Sequence, residues 1–466
     1  MKKSRSVASG TLFRPLFLSC MLGLMATGCP PPEPNNLLLY GTEMVGKVTD
    51  TSAVVHIVTG DLCTESTQFR LHYDTVSRTG SADYVYQTAS LVGFGEEEDV
   101  TFLLESLDPD TRYYYRLAYD TGEGWTDREE FTLHTRREPA DGFRFAMVTD
   151  MHMTPKWMYD HDGTKDNMFA NILREGEPAP DILFTLGDDY HVANQMEPTY
   201  VIMDHAARLE VYRELRMYLA KVCHSMMYIP VNGNHEGLYG WMTGTEEYAS
   251  ILEGKMLYFP VPVADTFPEG GDAYGRYGAF TWGDALFIWL DVVGFNELDP
   301  FVAGDNAYYI LGDEQRSFLE TTLESSTATW KFIMAHHVFG GDDGWEPGYG
   351  RGNANDAFQY EQASIQALME THGVQAFFYG HDHVFSVSSV NGIAYICAGK
   401  AGSLNPWYVV AMEHYTPYEV FVSDAFSVPS GHVEVDVSTV ETKVSFIRAS
   451  NDAENGTVMA TYFLSP

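Results

Sequence analysis

Basic residues are scarce in this chain. Against 65 Asp and Glu stand 28 Lys and Arg, a formal net charge of −37. Such a surface repels nucleic-acid phosphates and anionic lipid, so neither is a general partner. Cysteine is equally sparse, five in 466 residues with no CxxC pair, which excludes a thiolate metal cage and a scaffold held by disulfides. Glycine and proline stand at ordinary levels, 41 and 21, and exclude collagen-like and low-complexity chains. No run approaches the ~18 apolar residues of a membrane-spanning helix. Charge, at 20%, is also too low, and apolar content, at 45%, too high, for a disordered chain. At ~100–200 residues per domain, the length accommodates two or three domains.

The N-terminus reads as an address. Lys2, Lys3, Arg5 and Arg14 precede a short apolar run, Leu16–Met25, as in a secretory signal. Ala26-Thr27-Gly28-Cys29 resembles a bacterial lipobox, which implies removal of residues 1–28 and acylation of Cys29. The Pro-rich stretch 29–37 is a stiff spacer of the kind that holds a domain off a surface. The expected location is the bacterial cell envelope, lipid-anchored and facing the periplasm or the exterior. Cys63, Cys223 and Cys397 are expected as buried thiols, with pairing of Cys223 and Cys397 left open.

Two rhythms follow. Residues 38–137 read as six or seven short strands with turn signals between them, an antiparallel β-sandwich. Within it Leu107-Asp108-Pro109-Asp110-Thr111-Arg112-Tyr113 resembles the fibronectin type III corner, whose tyrosine bonds to upstream backbone. Its expected role is a spacer packed on the next domain. Residues 140–466 alternate apolar strands with helices expected at Asp166–Glu175, Ile202–Val222, Asp313–Ser325 and Tyr360–His372, an α/β pattern. Asp313 is the expected N-cap of the third helix and Gly373 the C-cap of the fourth. Residues 424–466 read as closing strands, and the stretches 237–275 and 338–358 as pocket-building loops.

Five apolar runs end in polar motifs: Asp150-Met151-His152, Gly187-Asp188-Asp189, Gly233-Asn234-His235-Glu236, His336-His337 and Gly380-His381-Asp382-His383. Open α/β sheets place ligand groups beyond the carboxyl ends of their strands, so all five can converge on one edge. Imidazole, carboxylate and amide oxygen, with no thiolate, suit borderline-to-hard cations. Two such ions ~3.5–4 Å apart can share a carboxylate and a hydroxide. Two divalent ions then outweigh the charges of Asp150, Asp188 and a hydroxide by one unit. That positive hole in an acidic protein fits a phosphate.

In this order the motifs resemble the calcineurin-like metallophosphoesterases, with signature D-x-H, G-D, G-N-H-[DE], H and G-H-x-H. The resemblance spans 143 to about 400 and implies a sandwich of two β-sheets flanked by helices, preceded by the fibronectin type III-like sandwich, as in purple acid phosphatases. It implies a phosphoesterase with two divalent or trivalent ions (iron, manganese or zinc). Asp150, His152 and His383 would hold the first ion, Asn234, His336 and His381 the second, and Asp188 would bridge. The bridging hydroxide would attack phosphorus, with His235 as general acid or phosphate contact and Glu236 orienting it. His337 and Arg351 are the candidate substrate contacts; Asp189 and His191 are read as outward or supporting. The purple acid phosphatase pattern has D-x-G and G-D-x-x-Y. Here His152 replaces the glycine and Tyr190 arrives one residue early, in a supporting position, so no tyrosinate–iron(III) centre is expected. Monoesters are favoured over diesters. The alternative is a surface-anchored adhesin or partner-binding protein with a structural metal site, motivated by the anchor, the β-sandwich and the acidity.

Overall fold

The computed structural model describes residues 37–153, 163–174, 176–194, 201–295, 310–338, 356–401, 419–422 and 429–466. Cys29, the expected signal segment and most of the Pro-rich stretch lie outside the described residues, as does Arg351.

The first region comprises β1 (Met44–Gly46), β2 (Ser52–Val58), β3 (Gln68–Asp74), β4 (Tyr86–Gln87), β5 (Leu91–Val92), β6 (Asp99–Glu105), β7 (Arg112–Asp120) and β8 (Thr126–His134). The clean alternation of β6, with Val100, Phe102 and Leu104 inward, faces Phe69 and Leu71 of β3 and Tyr113, Tyr115 and Leu117 of β7. The Tyr113 hydroxyl accepts the N–H of Asp108 (2.8 Å), closing the corner that the Leu107–Tyr113 pattern predicts. Between β3 and β6 the chain forms only two short strands, β4 and β5, which both pair with β3.

The second region supplies β9 (Phe143–Val148), α1 (Thr164–Ile172), β10 (Ile182–Thr185), the small hairpin β11 (Ala193–Asn194) and β12 (Val201–Ile202), α2 (His205–Cys223) and β13 (Met227–Pro230). After α3 (Glu246–Tyr258) come β14 (Gly278–Trp282), β15 (Ala285–Trp289), α4 (Gly312–Ser325), β16 (Trp330–Met334), α5 (Asp356–Thr371), β17 (Ala376–Tyr379), β18 (Phe385–Val390) and β19 (Ile393–Ala398). The strands β20 (Val420–Val422), β21 (Ser430–Val437), β22 (Thr442–Ala449) and β23 (Val458–Leu464) complete the fold.

Two large sheets result: β23-β22-β21-β9-β10-β13-β1-β2-β6 and β14-β15-β16-β17-β19-β18-β20. The two regions therefore share a sheet, joined where β1 pairs parallel with β13 (Val45↔Met227). The run patterns explain the layers, because strands buried on both faces read as continuous apolar stretches. In β9, Phe145 and Met147 face the partner sheet while Ala146 and Val148 face the helices. Between the sheets, Phe145 meets Phe287 edge-on (5.1 Å between centroids), with Phe184, Phe332 and Phe378 around it. Cys63, Cys223 and Cys397 are buried and free, so the open question of a Cys223–Cys397 bond is answered by two separate thiols.

Three helix expectations need correction. Asp313 is not the N-cap of α4; Leu311 occupies that position and Asp313 lies in the first turn, favourable to the helix dipole. The cap comes from another helix: the Glu361 carboxylate of α5 accepts the N–H groups of Leu311 (2.9 Å) and Gly312 (3.1 Å). A cap supplied across the fold leaves no local trace in sequence. The stretch 237–275 is not all loop, since it contains α3, capped by Thr245, whose hydroxyl accepts the Tyr248 N–H (3.2 Å). Its inward face includes Gly254, where a Cβ would lie 2.5 Å from the Tyr212 ring of α2, and the buried Lys255, which break the apolar stripe. Helix α1 ends at Ile172 rather than 175.

Candidate metal centre

The five polar motifs sit where five strands stop. Strands β9, β10 and β13 run parallel in one sheet, and β16 and β17 in the other. Their carboxyl ends meet because glycines allow backbones to touch. A Cβ at Gly187 would lie 2.6 Å from the Gly233 nitrogen, one at Gly233 2.4 Å from the Asp188 nitrogen, and one at Gly380 2.1 Å from Thr149 Oγ1. The turns are strained as well as close. Asp150, His152, Asp188, His381 and His383 all adopt positive φ, between 49° and 65°. That conformation costs an L-residue ~1–2 kcal/mol, and a cluster of such residues marks a functional site.

Hydrogen bonds stitch the first two turns together. The N–H of Asp150 donates to Gly187 (2.9 Å), that of His152 to Asp188 (2.8 Å) and that of Met153 to Asp189 (2.8 Å). Asp150 Oδ2 accepts from Thr149 Oγ1 (2.8 Å) and the His381 N–H (2.9 Å), leaving Oδ1 facing inward. Around that oxygen stand His383 Nε2 at 3.1 Å and His152 Nε2 at 3.7 Å, and the two nitrogens are 2.9 Å apart. Asp188 Oδ1 accepts the His235 N–H (2.9 Å), while Oδ2 lies 3.1 Å from His336 Nε2 and 3.7 Å from His235 Nε2. His336 Nδ1 donates to the Leu186 carbonyl (2.7 Å), which fixes its ring. The sets Asp150–His152–His383, Asp150–Asp188–His336 and His336–His337–His381 each bring their donor atoms within 4.8 Å of one another.

These groups fit bound cations. Asp150 Oδ1, Asn234 Oδ1 and His336 Nε2 are buried without a hydrogen-bond partner among the described residues, and buried polar atoms left so are costly unless something else occupies them. The electrostatics agree. Burial opposes the Asp188 charge, but His235 and His336 hold its carboxyl well below the usual range. Burial likewise opposes the His336 imidazolium, yet Asp188 and then Asp150 push it up to about 10. A metal-free centre therefore keeps a proton there that an ion would displace. Burial, reinforced by the His383 charge, drives His152 well below its ordinary value, and burial also lowers His235.

Most sequence-predicted residues converge. Asp150, His152, Asp188, His235, His336, His381 and His383 share this edge, and Asn234 lies on the same loop as His235. His337 is buried with its ring 4.1 Å from that of His381. Glu236 is placed differently from the expectation that it orients His235. Its carboxylate accepts the N–H groups of Asp188 (3.0 Å), Asp189 (2.7 Å) and Gly233 (2.5 Å), and so braces two turns. Burial and then the Asp188 charge push Glu236 up to about 7. Tyr190 turns away into the core and packs edge-on against Tyr212 (4.8 Å). Asp189 is buried rather than outward, and burial plus Glu236 hold its carboxyl well above the usual range. Sequence reasoning missed the support beneath: Lys255 of α3 donates to Asn232, whose amide donates to Asp291 Oδ2 (3.0 Å). The only local signal was a lysine inside an apolar stretch.

The family model of the calcineurin-like phosphoesterases matches residues 143–385. The structure of PhoD aligns with a TM-score of 0.64 at 14% identity, covering 93% of this chain and 90% of that one. The purple acid phosphatase PPD1 of yellow lupin (Lupinus luteus) aligns with a TM-score of 0.60 at 16% identity, over 91% of this chain and 74% of that one. No curated protein matches the sequence. The structural likenesses extend over the N-terminal β-region as well as the second region.

Proposed function

The chain belongs to the calcineurin-like phosphoesterase family, and from that premise we propose that it is a two-metal phosphomonoesterase of the bacterial cell envelope, anchored through an acylated Cys29. The ions would be iron, manganese or zinc. The observation that carries the reading is the position of Asp188, with one oxygen 3.1 Å from His336 and an Asp150–His152–His383 set on the same edge. Asp150, His152 and His383 would hold one ion, Asn234, His336 and His381 the other, with Asp188 shared. When bound, such a pair supplies Lewis acidity and a hydroxide nucleophile at neutral pH.

The chain's own residues do the rest. Asp150 and Asp188 each turn one oxygen towards the histidines because Thr149 and backbone N–H groups occupy the other. His235, beside the shared carboxylate, holds a proton for the leaving oxygen or contacts a phosphoryl oxygen. His337, next to His381, is the candidate contact to the substrate's other oxygens. The fibronectin type III-like sandwich serves as a brace: Tyr115 donates to the His224 carbonyl (2.6 Å), and the Phe131 ring stacks on that of His224 (3.9 Å between centroids).

The test is elemental analysis of the purified full chain beside hydrolysis of chromogenic monoester and diester substrates. Two ions per chain and faster monoester turnover are expected. A metal-loaded protein inert to both ester classes would favour the adhesin reading. Labelled palmitate should enter the wild type and not Cys29→Ser.

A further inference from the structure

The proposed chemistry leaves one imidazole without a task. The N–H of His191 donates to the Met153 carbonyl (2.9 Å), which pins the residue beside the 150–153 turn. Its Nε2 lies 2.6 Å from Nδ1 of His152. Its ring also lies flat on that of His235, 3.9 Å between centroids and 15° between planes. His152 presents its other nitrogen, Nε2, to His383 Nε2 and Asp150 Oδ1. One nitrogen of His152 thus faces the half-site and the other faces His191.

A neutral imidazole donates through one nitrogen and accepts through the other. For His152 to offer the lone pair of Nε2 to an ion, its proton must sit on Nδ1, and that N–H needs an acceptor. His191 Nε2, 2.6 Å away, is placed to be that acceptor. We propose that His191 is a positioning residue with two tasks: it fixes the Nδ1–H tautomer and ring plane of His152, and by stacking it fixes the ring plane of His235. The inference rests on the two-ion reading above and deepens it, since one side chain would then couple ion retention in the first half-site to the aim of the proton donor.

Two substitutions separate the tasks. His191→Gln keeps an acceptor at about the reach of Nε2 and loses the flat ring; His191→Leu loses both. Full-length wild type and variants are loaded with zinc, and affinity is read by competition with a chelator. In His191→Leu the ion of the first half-site should bind about 10–100-fold more weakly, the usual cost of removing a ligand's outer partner. In His191→Gln it should bind close to the wild-type value. At saturating zinc both variants should turn over a monoester more slowly than wild type. Should the leucine variant fail to fold, His191→Asn, whose amide stops one bond short of His152, takes its place. Equal loss of zinc in the acceptor and non-acceptor variants, or loss in neither, overturns the inference. So does a third ion that disappears from both, because His191 would then be a ligand itself. A wild type that binds no zinc and cleaves no ester overturns the two-ion reading too, whereas zinc-bound, active variants indistinguishable from wild type overturn only the role of His191.

Discussion

The proposed half-site of Asp150, His152 and His383 and the proposed half-site of Asn234, His336 and His381 share one edge of the sheets, yet His152 and His336 are held by different partners. His336 is fixed by the carbonyl of Leu186, part of the backbone that ends β10. His152 is fixed by another side chain, His191, on the turn after Asp188. Backbone carbonyls come with the fold, so His336 is aimed once the sheets close. The first half-site depends on a side chain and is correspondingly open to change. Its turns also carry more strain, with Asp150, His152 and His383 all at positive φ, against His381 alone in the second.

The comparison breaks most completely where the halves meet. Asp188→Asn should empty both half-sites, with metal content and turnover falling together by at least about 10³-fold in rate; elemental analysis beside kinetics reads this. Next comes His235→Ala, which should keep both ions and slow monoester turnover by ~10²–10⁴-fold, the scale of a lost general acid. Gly380→Ala sharpens the asymmetry. Its Cβ would collide with Thr149 Oγ1 and crowd Asp150 Oδ2 (2.9 Å) more closely than His336 Nδ1 (3.2 Å), so the first half-site should lose its ion before the second. Chemical denaturation should show a loss of ~1–3 kcal/mol, the cost of overpacking a tight site. The smallest effect tests the strain. In metal-free protein, His383→Gly should be more stable than His383→Ala by ~1 kcal/mol, because glycine tolerates the left-handed backbone that alanine does not.

Much of this arrangement was legible in the sequence. The five strand-end motifs announced themselves because strands buried on both faces leave continuous apolar runs, such as Phe143–Val148, that stop abruptly at polar groups. What stayed hidden was support that crosses the fold. Glu361 caps a helix from another helix, Glu236 braces turns rather than its neighbour His235, and Lys255 reaches Asn232 from a helix whose apolar pattern its own charge obscures. Nor does any spacing reveal that β1 joins β13 and fuses the two regions into one sheet. Register between distant strands is written in packing, not in local pattern.

The claim that two ions share Asp188 is tested most directly by anomalous scattering from crystals of the metal-loaded protein, with data at the absorption edge of the ion that elemental analysis identifies. The account predicts two peaks ~3.5–4 Å apart, one against Asp150, His152 and His383, the other against Asn234, His336 and His381, with Asp188 touching both. A single peak, or two peaks that Asp188 does not join, would contradict it.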